Sequence, residues 1–471
     1  MLPRSLLTLP RRLPRLNARR YTASSPATAS SPSPVTKVEK IIRDNIRATG
    51  PISLASYMQF CLAHPTHGYY ANPAQPVFGA RGDFTTSPEI SQVFGELVGV
   101  WLVSQWMAHA AKCKVAGTIR LVELGPGRGT LMADVLRVVA RFPAARAALA
   151  RVHLVDNSAH MQALQRRTLA HSGFAERVEW HASLEDVPAV EEGDVYTMLV
   201  AHEFFDALPI NLLERTEQGW HEVLIANNPP PSAPDADPAA PSTTATPPPT
   251  PENPDPAAPF RLVLTPAPTP QSTLLGLSSP RFLTLPPGAR VEVSHAAFKA
   301  ARRLADVLAG GGRSAAAVWQ KGAAGAGAGL VVDYGADGAA DNSFRAFKDH
   351  APADPLARAG ECDLTANVDF AYLREALAGL ATAHGPLPQR AFLARMGLRA
   401  RLDALVRAAP TPARARDIEA AAARLVDAEG MGVEYKVLGV TVGGGGEGEG
   451  KEGEEVWPFV QLGEEVDAGV D

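Results

Sequence analysis

The sequence predicts an α/β fold built around a mainly parallel, doubly wound sheet. The first observation is the stretch from Ile119 to Leu136, where a short apolar run leads into three closely spaced glycines and then a segment with helical periodicity. The second is that two later apolar runs, at 195–200 and 329–335, end in polar side chains. Strand, glycine turn and helix in this order form the opening unit of a doubly wound domain.

The glycine turn indicates a ligand site. Gly125, Gly127 and Gly129 have the spacing G-x-G-x-G, which differs from the G-x-G-x-x-G of dinucleotide-binding turns. Glycines let the backbone approach a ligand closely, and the start of the following helix favours an anionic group. Glu123, just before the turn, is suited to an amine or a hydroxyl. The combination favours S-adenosylmethionine (SAM), which carries a carboxylate, an ammonium and a ribose. A plain tight turn is the alternative.

A second acid is predicted at the tip of the next strand. The run 151–156 is apolar enough for a strand and ends in Asp156, which lies 31 residues after Gly125. A carboxylate at this position can accept hydrogen bonds from ribose hydroxyls. The alternative role is a helix N-cap beside Asn157 and Ser158. A third strand is predicted at 178–182.

The strand predicted at 195–200 is followed by His202, Glu203 and Asp206, with two phenylalanines between the acids. In an open parallel sheet the ligand crevice lies at the carboxyl ends of the strands. Two carboxylates in a partly desolvated pocket could therefore bind a cation. The alternative is that these side chains serve as caps or ion pairs.

Composition limits the other classes of function. The chain has 471 residues and a formal net charge of −5, so a basic nucleic-acid-binding face is not expected. Cys61, Cys113 and Cys362 are far apart and read as free thiols. The 12 histidines show neither H-x-x-x-H nor H-E-x-x-H, so no metal site is predicted. No run is long enough to cross a bilayer, and the best stretch, 97–107, is predicted to be a buried helix.

The composition of residues 1–34 predicts a mitochondrial transit peptide, because the segment is rich in Arg and Ser and the first acidic residue of the chain is Glu39. The alternative is a disordered basic arm. Helices are predicted over 38–46 and 53–60. A Gly-rich loop then delivers Glu89 to a helix over 89–111, and this loop is either a ligand lid or a surface connection.

Further along, the Pro-rich segment 227–259 predicts a disordered insertion at the tip of a hairpin formed by 220–225 and 260–264. A strand at 290–294 and a helix over 295–308 follow, and the strand at 329–335 ends in Asp333 and Tyr334. A turn and a helix are predicted within 363–373, a helical region to about 428, and a last strand at 457–462.

The predicted organisation is 1–34, transit peptide; 35–226, N-terminal helices and ligand-binding half; 227–259, insertion; 260–442, remainder with a helical insertion; 443–455, flexible Gly/Glu loop; 456–471, last strand and tail.

Several longer motifs, taken together, closely resemble one family, the MidA-like SAM-dependent protein arginine methyltransferases, whose mitochondrial members are assembly factors for respiratory complex I. The resemblance runs from about residue 38 to 440. Its motifs are GPISLASYMQFCL, HPTHGYY, GDFTTSPEISQVFGELVGVW, LVELGPGRGTLMADVLR, HLVD, AHEFFDALP, VEVS, VVDYG and DLTANVDF.

The resemblance implies a Rossmann-like class I methyltransferase fold, SAM as cofactor, and symmetric dimethylation of an arginine on a core subunit of the complex I peripheral arm, in the mitochondrial matrix. Gly125, Gly127 and Gly129 match the family's SAM loop, and Asp156 stands where animal members have Glu. His202, Glu203 and Asp206 match its post-strand motif, and Gly82, Asp83 and Pro88 its N-terminal loop. The oligomeric state stays open, with a homodimer as one option.

The mechanism expected from these residues is a carboxylate clamp. Glu203 and Asp206 would hold the guanidinium fork, and His202 would be a candidate proton acceptor. A non-catalytic SAM-fold chaperone for a complex I subunit is the main alternative. An NAD-dependent enzyme is a weaker one, because both the glycine spacing and the distance along the chain to Asp156 differ from the usual pattern.

Overall fold

The computed structural model describes residues 35–71, 86–114, 117–190, 194–228, 258–311, 325–443 and 456–460. Among these residues, no helix is both long and apolar enough to span a membrane. The α-helices are α1 (Lys37–Thr49), α2 (Leu54–Ala63), α3 (Ser87–Ile90), α4 (Gln92–Cys113), α5 (Thr130–Arg141), α6 (Pro143–Ala148), α7 (Ala159–Leu169), α8 (Pro270–Gly276), α9 (Pro280–Leu283), α10 (His295–Leu308), α11 (Phe370–Leu377), α12 (Gln389–Arg395), α13 (Leu398–Arg407), α14 (Pro412–Leu425) and α15 (Met431–Glu434).

The strands form one large sheet and two small ones. They are β1 (Ile52–Ser53), β2 (Thr118–Leu124), β3 (Leu149–Val155), β4 (Val178–His181), β5 (Val195–His202), β6 (Asn211–Thr216), β7 (Gly219–Asn227), β8 (Phe260–Leu264), β9 (Arg290–Val293), β10 (Gly325–Ala336), β11 (Arg345–Lys348), β12 (Ala351–Ala353), β13 (Asp363–Thr365), β14 (Val368–Asp369), β15 (Thr382–Pro388) and β16 (Tyr435–Val442).

The large sheet has the order β15-β16-β10-β5-β2-β3-β4, with β14 paired beside the end of β10. Strands β2, β3, β4, β5 and β10 are mutually parallel, whereas β16 runs antiparallel to both β10 and β15. From β2 the chain proceeds outward to β3 and β4, and β5 then returns to the opposite side of β2. The strand order therefore reverses between β2 and β5, and a doubly wound sheet opens its ligand crevice at this point.

Helices cover both faces of the large sheet, so its central strands are buried on both sides and read as apolar runs. On β2, Leu121 packs into a core shared with α4 and α5, whereas Val122 packs into a core shared with α10 and α11. The predicted α/β fold with a mainly parallel sheet is confirmed.

A smaller antiparallel sheet, β1-β7-β6-β9 with β8 paired to β7, packs with α1 and α2 around its own core. The predicted hairpin is confirmed, since Val223 pairs with Leu264 and Asn227 with Phe260. The segment between these strands is described only at its ends. The predicted transit peptide and nearly all of the Gly/Glu loop also lie outside the described residues.

Three predicted elements differ from the structure. The helical region predicted to about 428 is interrupted by strand β15, which pairs with β16 and contains Pro386 and Pro388, two residues that disfavour helix. The helix predicted over 89–111 is divided at Ser91, whose backbone is extended (φ −153°, ψ 132°) and whose Oγ caps α4 by accepting the N–H of Val93 at 3.3 Å. The strand predicted at 457–462 is wrong over the described residues 457–460, which form a turn: Pro458 has no N–H, and the Trp457 carbonyl accepts Trp101 Nε1–H at 2.9 Å. Strands β15 and β16, neither of which was predicted, complete the sheet beside β10.

Candidate active site

A cavity opens at the carboxyl ends of β2 and β5, where the strand order reverses. It joins α3, the glycine turn and the residues after β5. The predicted site residues Pro88, Glu123, Gly125, Gly127, His202 and Glu203 all line it. Its other lining residues are Thr86, Glu89, Pro126, Arg128, Thr130 and Leu131. Gly82 and Asp83 lie outside the described residues.

The glycine turn requires glycine for conformational reasons. Gly125, Gly127 and Gly129 all have left-handed φ values, of 62°, 50° and 84°. The Gly125 N–H donates to the Val155 carbonyl at 3.1 Å, and a Cβ at Gly125 would lie 3.2 Å from the Phe204 ring. Gly129 is the N-cap residue of α5 and is not a lining residue. The turn therefore directs the start of α5 towards the cavity.

Glu123 is a buried acid that faces this cavity, with only 2% of its surface exposed. Its Oε2 has no hydrogen-bond partner among the residues that the structure describes. Burial, together with the negative charges of Asp134 and Asp156, raises its pKa to about 8. A cationic group in the cavity would favour the ionised carboxylate and supply the missing partner. These properties fit the ammonium of SAM.

Asp156 follows β3 and is connected to the glycine turn by Gln165. The Gln165 amide donates to Asp156 Oδ2 at 2.7 Å and to the Gly127 carbonyl at 2.8 Å. The other carboxylate oxygen accepts the Ser158 N–H at 2.8 Å. Burial raises the Asp156 pKa, against the effect of these hydrogen bonds. Ser158, not Asp156, is the N-cap of α7, and Asp156 lies outside the set of cavity-lining residues.

Glu203 adopts a backbone conformation that is uncommon for any residue other than glycine, with φ of 48°. Such strain is concentrated at functional sites. Its N–H donates to the Val332 carbonyl at 3.0 Å, and its Oε1 accepts the Tyr435 hydroxyl at 2.8 Å. Burial and the nearby Asp206 charge raise the Glu203 pKa to about 8, although the Tyr435 hydrogen bond acts in the opposite direction.

His202, the last residue of β5, is a buried imidazole. Its Nε2 lies 3.8 Å from Glu203 Oε1, and this nitrogen has no hydrogen-bond partner within the described part of the chain. The ring packs edge-on against Phe94, with centroids 5.0 Å apart. Burial lowers the pKa of His202 to about 3, so the ring is neutral at physiological pH and has one unprotonated nitrogen.

Asp206 lies behind the cavity wall and does not line the cavity. Its Oδ2 accepts hydrogen bonds from the Tyr334 hydroxyl and, at 2.9 Å, from Thr365 Oγ1. Asp333 accepts the N–H groups of Phe205 at 3.0 Å and Asp206 at 3.2 Å. Burial raises the pKa of both aspartates, and the negative charge of Asp206 raises that of Asp333 further. Three carboxyl groups are thus grouped at the ends of β5 and β10.

Five residues that organise this site were not predicted to belong to it. Asp333 and Tyr334 end a strand that was predicted, so their position at the crevice edge was the available signal. Tyr435 lies in the unpredicted strand β16, and Gln165 has the appearance of an ordinary polar residue of a helix. Glu89, which was predicted only as a helix-start residue, accepts the Thr130 hydroxyl at 2.6 Å and so connects α3 to the start of α5.

The reversed strand order, the glycine turn at the start of α5 and the acid after β3 define a class I methyltransferase that uses SAM. The family of S-adenosyl-L-methionine-dependent methyltransferases matches residues 97–387. The chain belongs to this family.

Relatives and solved structures agree with this assignment. A zebrafish (Danio rerio) protein named protein arginine methyltransferase NDUFAF7, mitochondrial, is 36% identical, over 93% of each chain. The human (Homo sapiens) protein of that name is 35% identical, over 79% of this chain and 76% of its own length. A Burkholderia thailandensis protein solved with bound S-adenosyl-homocysteine shares the fold, with a TM-score of 0.62 and 24% identity over 86% of this chain and 92% of that chain.

Proposed function

We propose that this chain is a mitochondrial protein arginine N-methyltransferase that forms symmetric dimethylarginine on a core subunit of the complex I peripheral arm. In this proposal it acts in the matrix, residues 1–34 direct it there, and its product is needed for complex I assembly. The observation that carries the proposal is the group of buried carboxyls after β5, beside the cavity to which we assign SAM. The names of the relatives support arginine as the substrate residue and the mitochondrion as the compartment.

The cofactor is assigned to the β2 side of the cavity. When bound, SAM supplies a methyl group carried on a positively charged sulfur. Gly125, Gly127 and Gly129 would hold its amino-acid end, and Glu123 would bind the ammonium because its Oε2 has no partner among the described residues. Asp156 would accept the ribose hydroxyls. Pro88, which lines the cavity, would also contact the cofactor, and Gly82 and Asp83 stay predicted cofactor-binding residues outside the described part of the chain.

The guanidinium is assigned to the β5 side of the cavity. Arginine has a pKa above about 12, so its nitrogens are poor nucleophiles while the positive charge is spread over the whole group. A carboxylate that accepts hydrogen bonds from two nitrogens holds the charge on that side and leaves a third nitrogen directed at the methyl donor. Glu203 would make this contact directly. Asp206 would act from behind the cavity wall, through its negative charge.

The proton released on methylation needs an acceptor. His202 is the candidate for this role, because burial keeps its imidazole neutral and it lines the same cavity as Glu203. Tyr435 would orient the Glu203 carboxylate through its 2.8 Å hydrogen bond. Exclusion of water from the pocket would strengthen all of these charge interactions.

The test is mass spectrometry of complex I peripheral-arm subunits from cells that lack this chain, before and after incubation with the purified chain and isotopically labelled SAM. We expect labelled symmetric dimethylarginine to appear with the wild-type chain and not with Glu203→Gln. The absence of any labelled arginine with the wild-type chain would refute the proposal. Asymmetric dimethylarginine would refute the proposed product.

A further inference from the structure

We propose that His153, Glu179 and His181 form a divalent metal site, with zinc the preferred ion, at the β3–β4 edge of the large sheet. One ligand atom from each of these residues lies within 4.8 Å of the other two. His153 Nδ1 lies 2.9 Å from His181 Nε2 and 3.5 Å from Glu179 Oε2. Neighbouring ligand atoms around a tetrahedral zinc stand about 3.3 Å apart, because each metal–ligand bond is about 2 Å long, so the ion would replace the hydrogen bond between the two imidazoles and move them apart by about 0.4 Å.

The backbone explains why the three side chains converge. His153 pairs with Glu179 across the parallel strands β3 and β4, and His181 follows Glu179 by two residues. Side chains two residues apart on a strand point to the same face of a sheet. The intervening Trp180 points to the other face, where its Nε1–H donates to Gln165. The site is therefore built on two regular strands, which are more rigid than loops.

The Glu179 carboxylate is held in an orientation that suits a cation. Arg151 Nε lies 3.0 Å from Glu179 Oε1, which leaves Oε2 as the oxygen that faces His153. Held by its second oxygen in this way, the carboxylate is oriented for the metal.

Two imidazoles and one carboxylate match the preferences of zinc, and a fourth position would be filled by water. Glu179 is 44% exposed in its side chain whereas that of His153 is 3% exposed, so the ion would enter from the solvent side. The site borders the proposed cofactor region, because the His181 carbonyl accepts the Asp156 N–H at 2.9 Å. No spacing rule within a single segment would find it, since the ligands come from two strands 26 to 28 positions apart.

The experiment uses the full chain, freed of metal by a chelator and dialysed. All proteins carry Cys113→Ser, because the exposed Cys113 thiol lies 3.8 Å from His109 Nδ1, and these two side chains together could compete for the metal ion. Zinc affinity is measured by competition with a chromophoric chelator. The variant is His181→Gln, and the matched control is His171→Gln, an exposed histidine that lies outside strands β3 and β4. The visible absorption of bound cobalt(II), measured on the chain that retains His181, gives a second readout that does not depend on the His181 variant.

We expect one equivalent of zinc to bind, His181→Gln to weaken binding by about tenfold or more, and His171→Gln to leave it unchanged. Cobalt(II) should give the intense visible bands of a four-coordinate site. Failure to bind one equivalent, equal affinity in His181→Gln and its control, or only the weak cobalt spectrum of an octahedral aqua ion would each overturn the proposal.

Discussion

Glu203 provides a quantitative prediction that does not require the substrate to be known. Its pKa is raised from 4.5 to about 8, mainly by burial. Between pH 4.5 and 8 the folded protein therefore keeps a proton on this carboxyl, whereas the unfolded chain has already released it. An acid whose folded-state pKa is raised makes folding less favourable as the pH rises. Its stability cost grows over this window and becomes constant above about pH 8.

The Glu203→Gln variant keeps the shape of the side chain and removes its ionisation. One pKa unit corresponds to about 1.4 kcal/mol, and at pH 8 the group is half ionised in the fold. Between pH 6 and pH 8 the wild-type chain should therefore lose about 2 kcal/mol of unfolding free energy relative to the variant. Asp206 and Asp333 interact with Glu203 through their charges, so the difference between the two proteins reports Glu203 together with this interaction.

The assay is urea unfolding followed by circular dichroism at both pH values. Glu217→Gln, in the exposed turn between β6 and β7, is the matched control and should follow the wild type at each pH. If the unfolding free energies of wild type and Glu203→Gln change in parallel between pH 6 and pH 8, the carboxyl is ionised throughout, and the reasoning about its burial fails.

Three further predictions concern the cofactor region and the groups around Glu203. Asp156→Asn should weaken S-adenosyl-homocysteine binding by about tenfold in calorimetry, because a charged acceptor is replaced by a neutral one; unchanged affinity would contradict the ribose assignment. Gly125→Ala should destabilise the fold by about 1–2 kcal/mol and weaken cofactor binding, because its φ of 62° is left-handed and the new Cβ would lie 3.2 Å from Phe204; an unaltered melting temperature would contradict this. Tyr435→Phe removes a hydrogen bond that lowers the Glu203 pKa, so the rise of kcat/KM with pH, expected near pH 8 in the wild type, should move to higher pH. An identical pH profile would exclude Tyr435 from positioning this carboxylate.

The sequence predicts those parts of the site whose residues lie close together in one short segment of the chain. The strand before Gly125 and the strand before His202 are apolar because they are buried on both faces, and each places its polar residues at its carboxyl end. Open parallel sheets bring such ends together, so the shared cavity of Glu123 and Glu203 follows from local pattern and a topological rule. The pairing of β7 with β8 likewise followed from two runs of similar length on either side of a Pro-rich segment.

The parts that were missed depend on contacts between distant residues. Tyr435 reaches Glu203 across 232 positions, and nothing in its own segment signals this role. The break at Ser91 was hidden because the residues on both sides favour helix, and the serine cap decides the outcome. The position of Asp206 behind the cavity wall depends on Tyr334 and Thr365, whose hydroxyls both donate to its carboxylate. Tyr334 lies in β10, and Thr365 lies in β13 of a small sheet.

The central claim is that the carboxyl group after β5 acts on the substrate while the glycine turn after β2 binds the cofactor. Cofactor affinity and the methyl-transfer rate should therefore be measured side by side in the wild type and in Glu203→Gln. We predict that S-adenosyl-homocysteine affinity stays the same within about threefold. Methyl transfer to arginine should fall by about 10² or more. Transfer at the wild-type rate by a Glu203→Gln chain that binds cofactor normally would contradict the account.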